Sequence, residues 1–387
     1  MKTISTLALM FTIAIASVAS AQDAEQKSAV KIVKETKIFA LDKSRDITEN
    51  NGIHSMRISP DGKTLLYIER TPPGANENRR GYRLALRDIK TGKDTILPGA
   101  PSGSDDFLVA YVSMQPFDAT NAKVILPVCI SENNEPVRPG AGQMQLGIYE
   151  IATGKLTKPD LKAPIIFPSY DAAGKNIIVF EMAKGDRGPD LANSKIVVSP
   201  ADKIKFRKIS IIGMPRSPCP TGDILPILLP PARDQGQEIK DGIFVLCDTK
   251  TDKKLPSPPI TSGKKLDDFN PQWTGDGRYL YYVDTEKDKT PEGNTRHKRI
   301  MRVWDNKKAV EQSIMQDTIP IGPALSNAGM IVLGKKNYAY SIHDPVSGKL
   351  SPILDGKSKI ISVTGQFLVC VKQDAKGAKF VYLTEMK

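Results

Sequence analysis

Histidine and cysteine are scarce, with three of the first and four of the second in 387 residues. His54, His297 and His343 stand far apart, no H-E-x-x-H spacing occurs, and no C-x-x-C is present. A cysteine zinc site, a redox dithiol and a histidine metalloprotease centre therefore lack their sequence basis. A G-x-S-x-G elbow is missing too, and no long α/β stretch exists to host one, which excludes a serine-hydrolase domain within these residues. Beyond the first two dozen residues no apolar run approaches the roughly 20 residues of a spanning helix. No amphipathic helical pattern of a dozen residues survives either.

What is present begins with a leader. In MKTISTLALMFTIAIASVASAQ, Lys2 supplies a positive start, Leu7 to Ala16 a short apolar core, and Ala19-Ser20-Ala21 an A-x-A cleavage signal. Residues 1–21 are thus expected to be a signal peptide, and the mature chain, from Gln22, to be periplasmic or secreted and not membrane-spanning. The formal charge of +12 falls by one with the loss of Lys2. An exported basic protein meets envelope or extracellular proteins and anionic polymers, not nucleic acid. The four cysteines permit three pairings. Cys129 and Cys370 read as buried thiols in strands of units that are not neighbours. Cys219 and Cys247 would have to bridge a first and a third strand, about 9–10 Å apart, against a Cα limit of about 7 Å.

ISPDGKTLLYIER (58–70), YDAAGKNIIVFEM (170–182) and WTGDGRYLYYVDT (273–285) are variants of one phrase. Aligned on their glycine they extend to seven stations: Gly62, Asn121, Gly174, Gly222, Gly277, Gly329 and Gly365, spaced by 59, 53, 48, 55, 52 and 36 residues. Glycine and asparagine are the residues that accept φ > 0 most readily. Three positions earlier stand Ser59, Asp118, Asp171, Cys219, Thr274, Ser326 and Ser362, and all but the cysteine can turn a side-chain oxygen onto the turn's amides. Asp61 and Asp276 belong to this turn geometry rather than to catalysis. A strand rich in branched and aromatic residues follows each station, then in most units a second strand and a tight hairpin marked by Gly92, Gly154, Asp252, Asn306 or Gly348.

Four antiparallel strands recurring every 40 to 60 residues spell a propeller blade. The expected fold is an all-β propeller of four-stranded antiparallel blades, seven in number, or six if the proline-rich fourth unit is degenerate. Residues 22–387 then form one domain, with blades from about 54 onward. The last unit supplies only three strands before the chain ends, and AVKIVKETKIFALDK (29–43) is strand-like and otherwise orphaned. Joining the two in one blade removes an open edge, so the N-terminal strand is expected to close the ring.

Ser59-Pro60-Asp61-Gly62, and less completely Pro271 to Gly277 and Pro168 to Gly174, resemble the WD40-like propeller repeats of TolB-type proteins. The resemblance spans roughly 54–385 and implies an exported interaction platform. TolB's additional α/β domain has no counterpart in this sequence.

Between second and third strands five units carry long charged segments, at 70–81, 131–144, 183–194, 230–241 and 284–299. A propeller presents these on one face. Arg79, Arg80, Arg138, Arg187, Arg233, Arg296, His297 and Arg299 would decorate that rim, where forked guanidiniums favour carboxylate or phosphate partners. Acidic neighbours such as Asp186, Asp234 and Glu292 share it. His343, in SIHDP, reads as packing or turn chemistry, and His54 as facing the channel. The expectation is a monomeric, non-catalytic propeller, with no cofactor or metal, that binds a protein or polymer through the rim. The alternative is an exported carbohydrate-active enzyme, lyase or hydrolase, with its site at the channel mouth.

Overall fold

The computed structural model describes residues 31–41, 56–70, 82–97, 115–130, 143–161, 164–171, 173–185, 188–220, 223–229, 244–258, 271–289, 293, 295–316, 318–320, 331–335, 340–354 and 358–386. The leader, residues 1–21, lies outside them.

The described residues contain strands and turns and no helix. After β1 (Ile32–Leu41) the chain forms a first sheet from β2 (Met56–Ile58), β3 (Thr64–Arg70), β4 (Tyr82–Asp88) and β5 (Asp94–Ile96). The second holds β6 (Lys123–Ile130), β7 (Gln143–Glu150) and β8 (Leu156–Thr157). The third holds β9 (Ile165–Tyr170), β10 (Asn176–Gly185), β11 (Gly188–Pro200) and β12 (Arg207–Lys208). The fourth holds β13 (Met214–Pro215), β14 (Ile224–Leu228), β15 (Phe244–Asp248) and β16 (Lys253–Leu255). The fifth holds β17 (Gln272–Trp273), β18 (Tyr279–Lys289), β19 (Thr295–Asp305) and β20 (Val310–Gln316). The sixth holds β21 (Thr318–Pro320), β22 (Ile331–Lys335), β23 (Tyr340–His343) and β24 (Leu350–Pro352). The closing sheet orders as β1, β27 (Lys379–Met386), β26 (Phe367–Gln373), β25 (Lys359–Thr364).

This is a β-propeller closed by its N-terminal strand. Six of its sheets have four strands, and the second has three among the described residues. The proline-rich fourth unit, whose degeneracy would have left six blades, completes its four strands. Pro226 in β14 keeps its carbonyl paired, accepting from the Arg216 amide at 2.9 Å. In the second unit, among the described residues, the innermost position holds an isolated bridge, Phe117 to Val124, and the Ile125 amide donates to the Pro116 carbonyl at 2.8 Å.

The stations form the left-handed turns their residues suggest. Gly62, Asn121, Gly174, Gly277 and Gly365 all have φ between 55° and 72°, while Gly222 and Gly329 lie outside the described residues. Ser59 Oγ accepts from the Thr64 amide at 2.9 Å and donates to Asp61 Oδ1 at 2.6 Å. Thr274 repeats both bonds with Tyr279 and Asp276. Asp118 and Asp171 accept directly from the Lys123 and Lys175 amides. Asp61 and Asp276 are thereby committed to turns. Among the second hairpins, Gly92, Gly154, Asp252 and Gly348 have positive φ. The fifth departs from expectation: the left-handed residue is Ala309, at φ 53°, not Asn306. Ala309 stands four residues after Asp305, as Gly92 stands four after Asp88, so position in the hairpin outweighs residue type.

The core lies between sheets, not inside one. Met56, Ile58, Leu65 and Tyr67 of the first sheet meet Phe39, Phe367, Val369 and Val381 of the closing sheet. From the opposite face of the first sheet Leu66, Ile68, Leu84 and Leu86 meet Phe117, Val124 and Leu126. Comparable clusters join the second to the third sheet, the third to the fourth, the fourth to the fifth and the sixth to the closing one. Both faces of a blade are covered, which is why its second strand reads as a continuous apolar run such as TLLYI. Cys219, Cys247 and Cys370 are free buried thiols, as expected, and Cys129 stands on β6 opposite Met144. Burial raises the Cys247 thiol to about 11, so it stays protonated and inert near neutrality.

Candidate functional site at the channel mouth

The first strand of each four-stranded blade is its innermost, and β1 is the outermost of the closing sheet. Each innermost strand runs toward its station turn, and the second strand returns. The beginnings of the innermost strands therefore share one face with the β10–β11 and β18–β19 connections.

The charged positions on the described innermost strands are Arg57 of β2 and Lys359 of β25, and Arg216 directly follows β13. Arg57 is half-buried between Met56 and Ile58, which are both fully packed in the core. Its Nη1 donates to the Met56 carbonyl at 2.8 Å. Burial lowers its pKa to about 10, which still leaves it cationic at neutral pH. A guanidinium so placed is charged and incompletely hydrated, the condition in which a forked contact to a carboxylate is strongest. Arg216, also half-buried, has Nη1 against Met214 Sδ at 2.9 Å. Gln272 opens β17, buried, opposite Tyr281 of β18.

None of these was singled out from the sequence. The signal existed in MRIS (56–59), a lone cation inside a three-residue apolar strand. Of the rim residues that were singled out, Arg79, Arg80, Arg138, Arg187 and Arg233 lie outside the described residues, as does His54. Arg296, His297 and Arg299 are placed together on β19.

Two of the five segments expected as loops are not loops. The segment 183–194 is mostly strand: β10 and β11 pair down to Gly185 opposite Gly188, leaving a two-residue connection. The segment 284–299 belongs largely to a ribbon in which β18 and β19 stay in register from Tyr279 opposite Asp305 to Lys289 opposite Thr295. The register sets Glu286 opposite Lys298 and Asp288 opposite Arg296. A charge-rich segment read alone suggests a solvated loop; read against its partner strand it is a hairpin.

His343 is only 2 % exposed and packs between the fifth and sixth sheets, where Tyr281 Oη lies 2.8 Å from its Nδ1. The rings meet edge to face at 5.7 Å. Burial holds the imidazole below its ordinary pKa, partly opposed by Asp344, and holds the Tyr281 phenol well above its own. The expectation of packing chemistry is met. As pH falls, the unfolded chain takes up the proton first, near its ordinary value of about 6.5. This contribution is therefore fully present above that value and is lost as pH drops toward the folded pKa. Thermal melts from pH 7.5 to 5 should show stability decreasing with acidification, and His343→Gln should flatten that slope. Parallel slopes for the two proteins would remove His343 from the account.

No protein-family model matches the chain, and no curated protein sequence matches it. Solved structures do. An oligogalacturonate lyase in complex with manganese superposes with a TM-score of 0.52 at 11% identity, over 93% of this chain and 98% of its own. The β-propeller domain of the Trilobed protease from Pyrococcus furiosus gives 0.53 at 11%, over 84% and 92%. Acylaminoacyl peptidase from Pyrococcus horikoshii gives 0.53 at 11%, over 84% of this chain and 50% of its own. These likenesses establish the propeller fold. They also correct the expectation of a non-catalytic binder, because the propellers that this one resembles belong to a lyase and to peptidases.

Proposed function

We propose that this chain is an exported enzyme that cleaves an acidic saccharide, as a lyase or hydrolase, at the channel mouth. The observation that carries the reading is Arg57, a half-buried guanidinium on an innermost strand of the ring. The lyase likeness supports the saccharide class: it extends over 98% of that protein's length, whereas the Pyrococcus horikoshii peptidase is matched over half. The leader-like residues 1–21 support export to the periplasm or beyond, and residues 22–387 are taken as one propeller domain. The S-P-D-G phrase supports placing the blades with the TolB type of repeat.

In this reading the Arg57 cation attracts a uronate carboxylate to the channel wall. For elimination the same charge does more. Water takes the proton on the carbon beside the carboxylate, and the glycosidic C–O bond one carbon further on breaks to leave a C=C bond, its oxygen departing with a proton from solvent. Negative charge grows transiently on the carboxylate oxygens, and a nearby guanidinium stabilises that charge more than the ground state. Lys359 and Arg216 add positive potential to the channel wall. The manganese of the lyase is not carried over: among the described residues no three His, Cys, Asp or Glu side chains gather as a metal site. No step here runs through a metal.

The test is a panel of acidic polysaccharides and their oligomers, with unsaturated ends and reducing ends followed separately. Unsaturated ends mark elimination, and reducing ends alone mark hydrolysis. Arg57→Ala should lower kcat/KM about 10- to 100-fold, the worth of one charged hydrogen-bonded contact, and Arg57→Lys should recover part of it. Melting curves confirm that both variants fold. No cleavage of any acidic chain, or equal rates in both variants and the parent, would end this assignment.

A further inference from the structure

The third blade ends on a patch of one sign. In Lys203-Ile204-Lys205-Phe206-Arg207-Lys208 four of six residues are cations and none is an acid. All four cations are exposed, and Arg207 and Lys208 form β12, the outermost strand of the third sheet. Other outer hairpins mix their signs: Asp88 and Asp94 flank Lys90 and Lys93 in the first, and Asp374 precedes Lys376 in the closing one. Local packing fixes the basic segment in place. Ala201 and Phe206 lie against the cluster between the second and third sheets, and Ser199 Oγ accepts from the Lys205 amide at 2.7 Å. Ile209 and Ile211 are buried between the third and fourth sheets.

The fourth blade adds to the charge. The Ser210 amide donates to both Asp252 oxygens, at 2.9 and 2.8 Å, which holds the fourth sheet's outer hairpin beside the end of β12. Lys253 and Lys254 follow on β16, the outermost strand of that sheet, and both are exposed. Directly opposed residues of an antiparallel pair share a face. Arg207 stands opposite Val198 and Lys254 opposite Cys247, and Val198 and Cys247 both belong to the cluster between these two blades. Arg207 and Lys254 therefore line one outer cleft. The acids nearby are turned to other work: Asp252 takes the Ser210 amide, Asp248 the Lys250 and Thr251 amides, and Asp223 pairs with Lys250 at 2.9 Å. Asp202 is the one acid of residues 201–212. Among the described residues, none of Lys203, Lys205, Arg207, Lys208, Lys253 and Lys254 has an ion-pair partner.

Two large aliphatic side chains stand among these cations. Ile204 and Ile212 are each 42% exposed, the first between Lys203 and Lys205 and the second just past the Ser210–Asp252 contact. We infer that this outer wall of the third and fourth blades docks on a bilayer surface bearing anionic headgroups. Ammonium and guanidinium groups meet phosphate there, while exposed aliphatic side chains enter the acyl boundary. An acidic polysaccharide would use the cations and leave both isoleucines in water, so the lipid surface is the occupant that accounts for the whole patch. The β11–β12 hairpin lies at the opposite end of its blade from the β10–β11 connection, so docking leaves the β10–β11 and β18–β19 face clear. Docking of this kind needs no catalytic activity.

The probes are vesicles of phosphatidylglycerol with phosphatidylcholine, vesicles of phosphatidylcholine alone, and soluble polygalacturonate, each with the full mature chain. The chain should sediment with the anionic vesicles and not with the neutral ones, and less of it at moderate than at low salt. Lys203→Gln with Lys205→Gln, Arg207→Gln and Lys208→Gln should weaken that binding about tenfold or more. Lys90→Gln with Lys155→Gln, Lys307→Gln and Lys376→Gln removes the same charge from exposed positions on four other blades and should stay within about threefold of the parent. Ile204→Ser with Ile212→Ser leaves the charge intact and should weaken binding about fivefold or more. Melting curves check that each variant is folded. A parent chain that ignores anionic vesicles, equal losses in the two charge variants, or full binding by the isoleucine variant would each overturn the docking surface. Polygalacturonate binding that depends on Lys203 to Lys208 while vesicle binding does not would make the patch a polymer site instead.

Discussion

Gly174→Ala is expected to be the most damaging single-methyl substitution among the turn glycines, costing about 3–5 kcal/mol by overpacking plus left-handed strain. A Cβ there would sit 2.5 Å from the Asp118 carbonyl carbon and 2.6 Å from Ala119 Cα, and closer still to Ala119 N. These are backbone atoms of the neighbouring blade's station turn, and they cannot rotate aside. The same turn receives the Ala119 amide on the Gly174 carbonyl at 3.0 Å, so any relief of the clash breaks a contact between blades. Two glycines of nearly equal φ provide the comparison. A Cβ on Gly62 would meet the Phe367 ring at 2.5 Å, a side chain that can shift at the expense of packing. A Cβ on Gly348 meets nothing within 4 Å, which leaves only the left-handed cost of about 1–2 kcal/mol. Denaturant unfolding of the three alanine variants should rank them Gly174, Gly62, Gly348 from worst to mildest. If Gly174→Ala proves no worse than Gly348→Ala, the station turns do not touch as described.

The fold could be read because its turns impose a backbone demand that few residue types meet. Gly62, Asn121 and Gly174 mark blades whose strands share little sequence, and the orphan segment 29–43 could be assigned by counting the strands of the last unit. Less was legible where information lies across strands. Nothing in TEKDK alone says that Glu286 will stand opposite Lys298; that appears only when β18 and β19 are laid antiparallel. Ala309 was missed because a hairpin position, not its residue type, sets its φ of 53°. Arg57 was missed for a related reason. An alignment keyed to the turns passes over the innermost strands, which here are as short as two or three residues, too short for any periodicity to single out one cation.

Removing the closing strand should be the largest perturbation of all, because its absence exposes what the ring was closed to hide. β1 pairs with β27 from Ile32 opposite Met386 to Leu41 opposite Lys379. Most of β1 is exposed, and Phe39 is its one fully buried residue, set against Tyr67 of the first sheet at 5.5 Å between rings. Arg87 lies over the same ring at 5.3 Å and donates to the Ile38 carbonyl at 3.3 Å. On the other side Glu35 bonds Lys372 and accepts from Thr384, whose hydroxyl lies 3.4 Å from Cys370 Sγ. Burying Phe39 and forming the ladder contribute at least about 3 kcal/mol, a large share of the 5–15 kcal/mol typical of a domain. A chain lacking residues 1–41 should melt at lower temperature, associate with itself as concentration rises through the bared β27 edge, and expose Cys370 to thiol reagents that do not reach it in the closed ring. A peptide of residues 31–42 added in trans should reverse all three changes, and the same peptide with Phe39→Asp should not. A truncated protein that stays monomeric, melts with the parent and keeps Cys370 shielded would mean that the ring is held by its blade interfaces alone.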